Sequence, residues 1–155
     1  MDLRKAVADA TKEAMRARDQ MRLSTLRLMS AAIKDREIAL RGETGGDAQL
    51  TDADLMALFA KMIRQRQESA RAYEEGGRLE LAEREQAEIQ TIQQFMPRQL
   101  SPEEVDAAID AALAATGATG LRDMGAVMAE LRARQAGRMD FAQAGPKVKA
   151  RLMGG

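Results

Sequence analysis

From Leu3 to Leu152 the apolar residues recur three and four positions apart, and strand-like alternation is not sustained anywhere. A period near 3.6 places such residues on one side of a helix, so the pattern predicts an all-α chain. The first helix runs from Leu3 to about Arg18, with Leu3, Val7, Ala10, Ala14 and Met15 on its apolar face. Asp19 can cap a second helix, whose stripe is Leu26, Met29, Ile33 and Leu40 and whose end is expected near Gly42. Residues 43–50 read as a Gly-rich loop. Thr51, with Asp54 three residues on, opens a third helix carrying Leu55, Leu58, Phe59, Met62, Ala70 and Tyr73. Gly76-Gly77 turns the chain into a fourth, with Leu81, Ala82, Ile89, Ile92 and Met96.

Pro97 disfavours a helical conformation at Met96 and marks the expected boundary. Residues 1–96 are read as an N-terminal helical bundle or hairpin, and residues 97–155 as a small three-helix domain. Ser101-Pro102-Glu103-Glu104 combines an N-cap Ser, Pro at the first helical position and Glu at the third. The stripe Val105, Ala108, Ile109, Ala112 and Leu113 follows, and Thr116-Gly117 ends it. A sixth helix carries Leu121, Met124, Gly125, Met128 and Leu131. Asp140 and Gln143 have the spacing of another capping box, but Pro146 falls inside the helix they would open. Either that helix kinks, or a short turn at 140–144 precedes a helix starting at Gly145-Pro146; the second is the expectation.

Composition narrows the chemistry. Cysteine and histidine are both absent from the 155 residues. That removes disulfides, thiolate nucleophiles, imidazole bases and Cys/His zinc sites. No catalytic residue, cofactor or metal site is assigned. The charged N-terminus lacks a signal peptide's apolar core, and no run approaches a membrane span, so no membrane partner and a cytoplasmic location are expected. Net charge is zero but unevenly spread: +4 through Arg41, −8 from Gly42 to Thr119, and +4 from Gly120 onward.

Two groups of charged residues stand out. On a helical projection Arg66 and Ser69 share the face of Leu55, Met62 and Tyr73, while Glu85 falls between Ala82 and Ile89. Counting outward from Gly76-Gly77 predicts an Arg66–Glu85 pair in the helix seam, with Glu88 as substitute partner. A buried guanidinium demands such a partner. The pair reads either as a register-setting brace or as an arginine positioned for an anionic ligand. The second group is basic. Arg27, Lys34 and Arg41 repeat every seven residues along the second helix, with Arg22, Lys12, Arg16 and Arg18 expected nearby. Arg132, Arg134, Arg138, Lys147, Lys149 and Arg151 gather near the end, where the loop around 134–138 leads into a helix N-terminus suited to phosphate. Arg22, Arg27, Lys34, Arg134, Arg138, Lys147 and Lys149 are therefore the candidate nucleic-acid contacts, with solvated helix faces as the alternative. No aromatic is clearly left for base stacking, which favours phosphate and shape contacts.

Several ordered motifs run along nearly the whole chain. They are Arg22-Leu23-Ser24-Thr25-Leu26-Arg27, Ala31-Ala32-Ile33-Lys34, Gln65-Arg66-x-Glu68-Ser69, Tyr73 and Gly77-Arg78. Pro97-x-Gln99-Leu100-Ser101, Thr116-Gly117-Ala118, Asp123-Met124-Gly125-x-Val127-Met128 and Gly137-Arg138 complete them. In this order and spacing they resemble the GatB/YqeY family, which comprises small stand-alone bacterial proteins and the C-terminal tail of the tRNA-dependent amidotransferase B subunit. The resemblance implies a helical N-terminal portion and a three-helix C-terminal domain. It also implies association with tRNA, since that tail helps to recognise the tRNA body while the amidation chemistry resides elsewhere. The sequence departs from the family pattern at Phe141–Lys149. The leading reading is thus a non-catalytic tRNA- or RNA-associated module. The alternative is a protein-interaction module docking on an amidotransferase or another translation component. Amidotransferase activity of its own (a carbon–nitrogen ligase with glutamine as amido donor) ranks third.

Overall fold

The computed structural model describes residues 2–46 and 49–154. Among them are seven α-helices and no strand. The chain divides into two compact units, residues 1–97 and 98–155.

The first unit holds α1 (Leu3–Ala17), α2 (Gln20–Thr44), α3 (Asp52–Glu75) and α4 (Leu79–Gln93). Asp2 caps α1 by accepting from the Lys5 N–H, and Asp52 Oδ1 accepts from the Leu3 N–H at 3.1 Å, tying the start of α1 to the start of α3. Leu3, Val7, Ala10 and Ala14 are buried; Met15, expected beside them, is more than half exposed. Arg18 ends α1 with φ 56°, and its N–H and that of Asp19 donate to Met15 and Ala14 carbonyls. Left-handed backbone is uncommon for a residue with a Cβ. It lets Asp19 cap α2 at once, by accepting from the Arg22 N–H.

Helix α2 runs past Gly42 to Thr44, a correction to the expected end. An isolated Gly weakens a helix by only about 1 kcal/mol, too little to stop one anchored by Leu23, Leu26, Met29 and Ile33 in the core. The stop comes at Gly45, which takes φ 86° and donates its N–H to the Arg41 carbonyl. Asp47 and Ala48, in the expected loop, lie outside the described residues. Thr51 and Asp54 form a reciprocal capping box at the head of α3. Gly77, at φ 74°, turns α3 into α4, and the small side chains Ala70 and Ala82 are buried in the seam between the two. Phe59, Leu55 and Ile92 complete the core with residues of α1 and α2.

The second unit holds α5 (Pro102–Thr116), α6 (Met124–Arg134) and α7 (Phe141–Leu152), with a 3-10 turn at Leu121–Asp123 before α6. Ser101 and Glu104 form a full capping box around Pro102. Its core is small: Ile109, Ala112, Val127, Met128, Leu131, Met139, Ala144 and Val148. Leu121 and Gly125, expected on the apolar stripe, are exposed, and Val127 takes their place.

Helix α7 is continuous from Phe141, so the expected start at Gly145-Pro146 is not what forms. Asp140 Oδ1 caps it early, accepting from the Ala142 N–H at 2.9 Å. A residue before proline avoids the helical region largely because its Cβ meets the proline ring. Residue 145 is glycine, which relieves that clash; it is buried, and a Cβ added there would lie 3.9 Å from Met124 Cε, an ordinary contact. The proline removes one helix hydrogen bond without breaking the helix.

Candidate functional site

Helix α2 is the longest element and buries one side only. Arg27, Lys34 and Arg41 lie on the exposed side. Seven residues of helix rise about 10.5 Å, so the three cations form a line with a drift of about 20° per step. None of the three has an ion pair among the described residues. Three other cations of α1 and α2 are placed differently, while Lys5, Lys12 and Arg16 of α1 are exposed with no ion pair among the described residues. Arg4 meets Glu37 at 2.6 Å, Arg36 approaches Glu43 at 3.9 Å, and Arg22 donates to Gln94 Oε1 of α4. Arg22 is thereby half-buried and tied to the bundle rather than standing in the line.

The second basic group looks similar in sequence and different in space. Arg134 pairs with Glu130 one turn earlier on α6. Lys147 lies 3.7 Å from Asp106, and Arg151 reaches both Asp106 and Asp110, bracing α7 against α5. Arg138 donates from Nε to the Arg98 carbonyl at 3.2 Å, and its own carbonyl accepts from the Leu100 N–H at 2.8 Å. Arg132 sits over the Phe141 ring, 5.9 Å from its centroid. Lys149 is exposed and makes no ion pair among the described residues. The N-terminus of α7, expected to suit a phosphate, already holds the Asp140 carboxylate. An anion arriving there would meet a negative charge on the donors it needs.

At the α3–α4 seam the bonded partner of Arg66 is Glu88, not Glu85. Arg66 Nε donates to Glu88 Oε2 at 2.9 Å, and Nη1 donates to the Met62 carbonyl at 3.2 Å. The reason is the centre of the turn. Helix α3 ends at Glu75 and α4 starts at Leu79, so the hairpin is centred on Gly77. Arg66 and Glu88 each stand eleven residues from it, while Glu85 stands eight away. Both partners are largely covered, with side chains 15% and 21% exposed, so the pair braces the hairpin where water screens it poorly. Glu85 remains in its field. Burial first, and then the Glu88 charge, raise its pKa above the ordinary carboxylate value, partly offset by Arg66 and Arg84.

A bidentate pair closes the entry to the second unit: Arg98 Nη1 and Nη2 donate to the two Glu104 oxygens at 3.0 and 2.9 Å. Those bonds, and then the Ser101 N–H, hold the Glu104 pKa down to about 2. No helix among the described residues is long and apolar enough to cross a membrane.

The fold and surface define a class: a two-unit, all-α module with a line of unpaired cations on one long helix. The sequence profile described as "Yqey-like protein" matches residues 4–152, and the chain belongs to that family. Among curated relatives, Altered inheritance of mitochondria protein 41, mitochondrial, of Saccharomyces cerevisiae is 34% identical over 95 residues, 61% of this chain and 49% of that protein. The protein of the same name from Eremothecium gossypii is 36% identical over 104 residues, 66% and 54% of the two chains. The chain thus spans about half the length of the curated relatives it matches.

Proposed function

We propose that this protein is a non-catalytic RNA-associated module, with tRNA as the partner the family resemblance favours and the exposed side of α2 as its phosphate contact. The observation that carries the reading is the contrast in charge pairing. Arg27, Lys34 and Arg41 stand in a line with no ion pair among the described residues, whereas Arg134 and Lys147 face acids of their own unit. A cation already facing a carboxylate releases little on meeting phosphate, and a free one releases the phosphate's counterion. Lys149 is a secondary contact on the same argument. No acyl-activating or ammonia-generating residues are assigned, so amidotransferase activity is not part of the proposal. A cytoplasmic, bacterial setting is part of it; the mitochondrial names belong to the yeast relatives.

The test is binding of the full chain to a total tRNA pool across a salt series. The reading requires saturable binding that weakens steeply with salt, and each lost phosphate contact should reduce the logarithmic slope by about 0.7–0.9. Affinity independent of salt would sink it. The second reading, docking on a protein of the translation machinery, is favoured by one observation: the same side of α2 exposes the large apolar residues Leu28 and Ile38.

A further inference from the structure

The outward side of α2 carries a pattern that phosphate contacts leave unused. Met21, Ser24, Leu28, Ala31, Asp35 and Ile38 follow one another at alternating steps of three and four, and all are exposed. Those are the two seam positions of a heptad. Met21, Leu28 and Ile38 are 59%, 46% and 56% exposed, a row of large apolar side chains with nothing over them among the described residues. The positions just before Met21, Leu28, Asp35 and Gly42 are Gln20, Arg27, Lys34 and Arg41, so one flank of the seam is basic for most of its length. The opposite flank, Thr25, Ala32 and Ala39, is uncharged. At the start of the row Met21 and Ser24 line a cleft of about 160 Å³ with Arg84 and Glu88 of α4, which gives the seam a concave end.

We infer that this face docks one amphipathic helix of another protein, its apolar stripe lying on Met21, Leu28 and Ile38 and its acidic residues, in heptad spacing, beside Arg27, Lys34 and Arg41. Charge complementarity selects the occupant. A second α2 laid antiparallel would set the two basic flanks against each other, because that flank position meets its own kind in antiparallel pairs. Laid parallel, it would bring an uncharged flank to the cations, with Thr25 buried, Ala32 half-buried and only Ala39 open, and would place Asp35 against Asp35. An acid-flanked helix satisfies both demands, provided it brings one Lys or Arg to the level of Asp35. That single polar seam position then sets the register. RNA supplies negative charge but no apolar stripe for Leu28 and Ile38. The inference therefore goes beyond the RNA reading: it shares three cations with it but stands on the apolar row.

Two designed helical peptides of about 25 residues, matched to the length of α2, test it. Both carry leucine at the seam and a lysine at the level of Asp35; one has glutamate on both flanks, the other lysine. Titrated with the full chain by fluorescence anisotropy, the glutamate peptide should bind at least about tenfold more tightly than the lysine peptide. Leu28→Gln with Ile38→Gln should weaken it at least about tenfold while leaving helical content and tRNA affinity unchanged, since both sites are exposed and Gln is a good helix former. Equal binding of the two peptides, or binding indifferent to those substitutions, would overturn the inference. So would a concentration-dependent dimer in sedimentation that the substitutions abolish, which would assign the face to a second copy. Loss of tRNA binding in the double variant, with no peptide binding by the parent chain, would give the face to RNA and overturn it too. If the parent chain binds the glutamate peptide but no tRNA, the inference stands and only the RNA reading fails.

Discussion

Helices α2 and α7 both carry several cations, yet they use them in opposite ways. On α2 a 25-residue helix is held by a core that four helices build, and three of its cations face outward with no ion pair among the described residues. On α7 a 12-residue helix that contains Pro146 belongs to a unit of about 60 residues, near the size at which a single core becomes marginal. There Lys147 and Arg151 reach across to Asp106 and Asp110 and help to hold the helix in place. The difference teaches that a basic residue's availability is decided by which acid its helix packs against, not by how many basic residues lie nearby in sequence.

The largest effect expected from that contrast is on RNA binding. Arg27→Gln, Lys34→Gln and Arg41→Gln together should reduce the logarithmic salt slope by about two to three and lower affinity at low salt by at least about tenfold, with the melting temperature unchanged. Lys147→Gln with Arg151→Gln should do the reverse, leaving tRNA affinity within about threefold while costing the second unit about 1 kcal/mol. If the second pair of substitutions hurts binding as much as the first, the contrast between the two helices is wrong.

Glu88→Ala comes next, because Arg66, like the cations of α7 and like Arg4, reaches an acid on a neighbouring helix. Removing its largely covered partner leaves a guanidinium poorly solvated, at a cost of about 2 kcal/mol, or about 4–8 °C in melting temperature. Glu85→Ala should not reproduce that loss; if it costs as much, the brace has been misassigned. Pro146→Ala sharpens the comparison from the other side. An alanine at this exposed position can donate to the Ala142 carbonyl, so the second unit should gain about 1–2 kcal/mol in denaturant unfolding. A loss would mean that the proline's rigidity matters more than the missing bond.

The smallest effects are in acid, and they have opposite signs in the two units. The Glu104 pKa is lowered from 4.5 to about 2 on folding, so its contribution is present above pH 4.5 and is lost as pH falls toward 2. Glu85 has a raised pKa, so the folded first unit binds that proton more tightly than the unfolded chain, and its penalty fades as pH falls through the raised value. Glu104→Gln should flatten the acid dependence of the second unit between pH 4.5 and 2. Glu85→Gln should stabilise the first unit at neutral pH and lose that advantage in acid. Unfolding curves of each variant across pH would show both, and equal slopes before and after substitution would refute the assignment.

Much of the fold was legible because its signals are local. Capping at Asp19, Thr51 and Ser101 involves groups three residues apart, and a turn centred on Gly77 needs only a residue that tolerates positive φ. The family membership was legible too, from motifs in order along the chain. The misses occurred where a local signal met packing. Gly42 did not end α2 because one glycine costs a helix too little, and the left-handed Gly45 caps it instead; Pro146 did not start α7 because Gly145 and the Asp140 cap let the helix begin earlier. Arg66 bonds the substitute partner Glu88 rather than Glu85, three residues and less than one helical turn away, because the hairpin is centred on Gly77.

By itself, then, the sequence determined an all-α chain with the capped starts of α2, α3 and α5, an uneven charge distribution and a chemistry without thiol or imidazole. Only the tertiary structure decided which cations are free. Helical periodicity reports the face a residue occupies on its own helix, and therefore whether it can point outward. It says nothing about the acid that a neighbouring helix brings to within a few ångströms, which is a matter of how the helices pack.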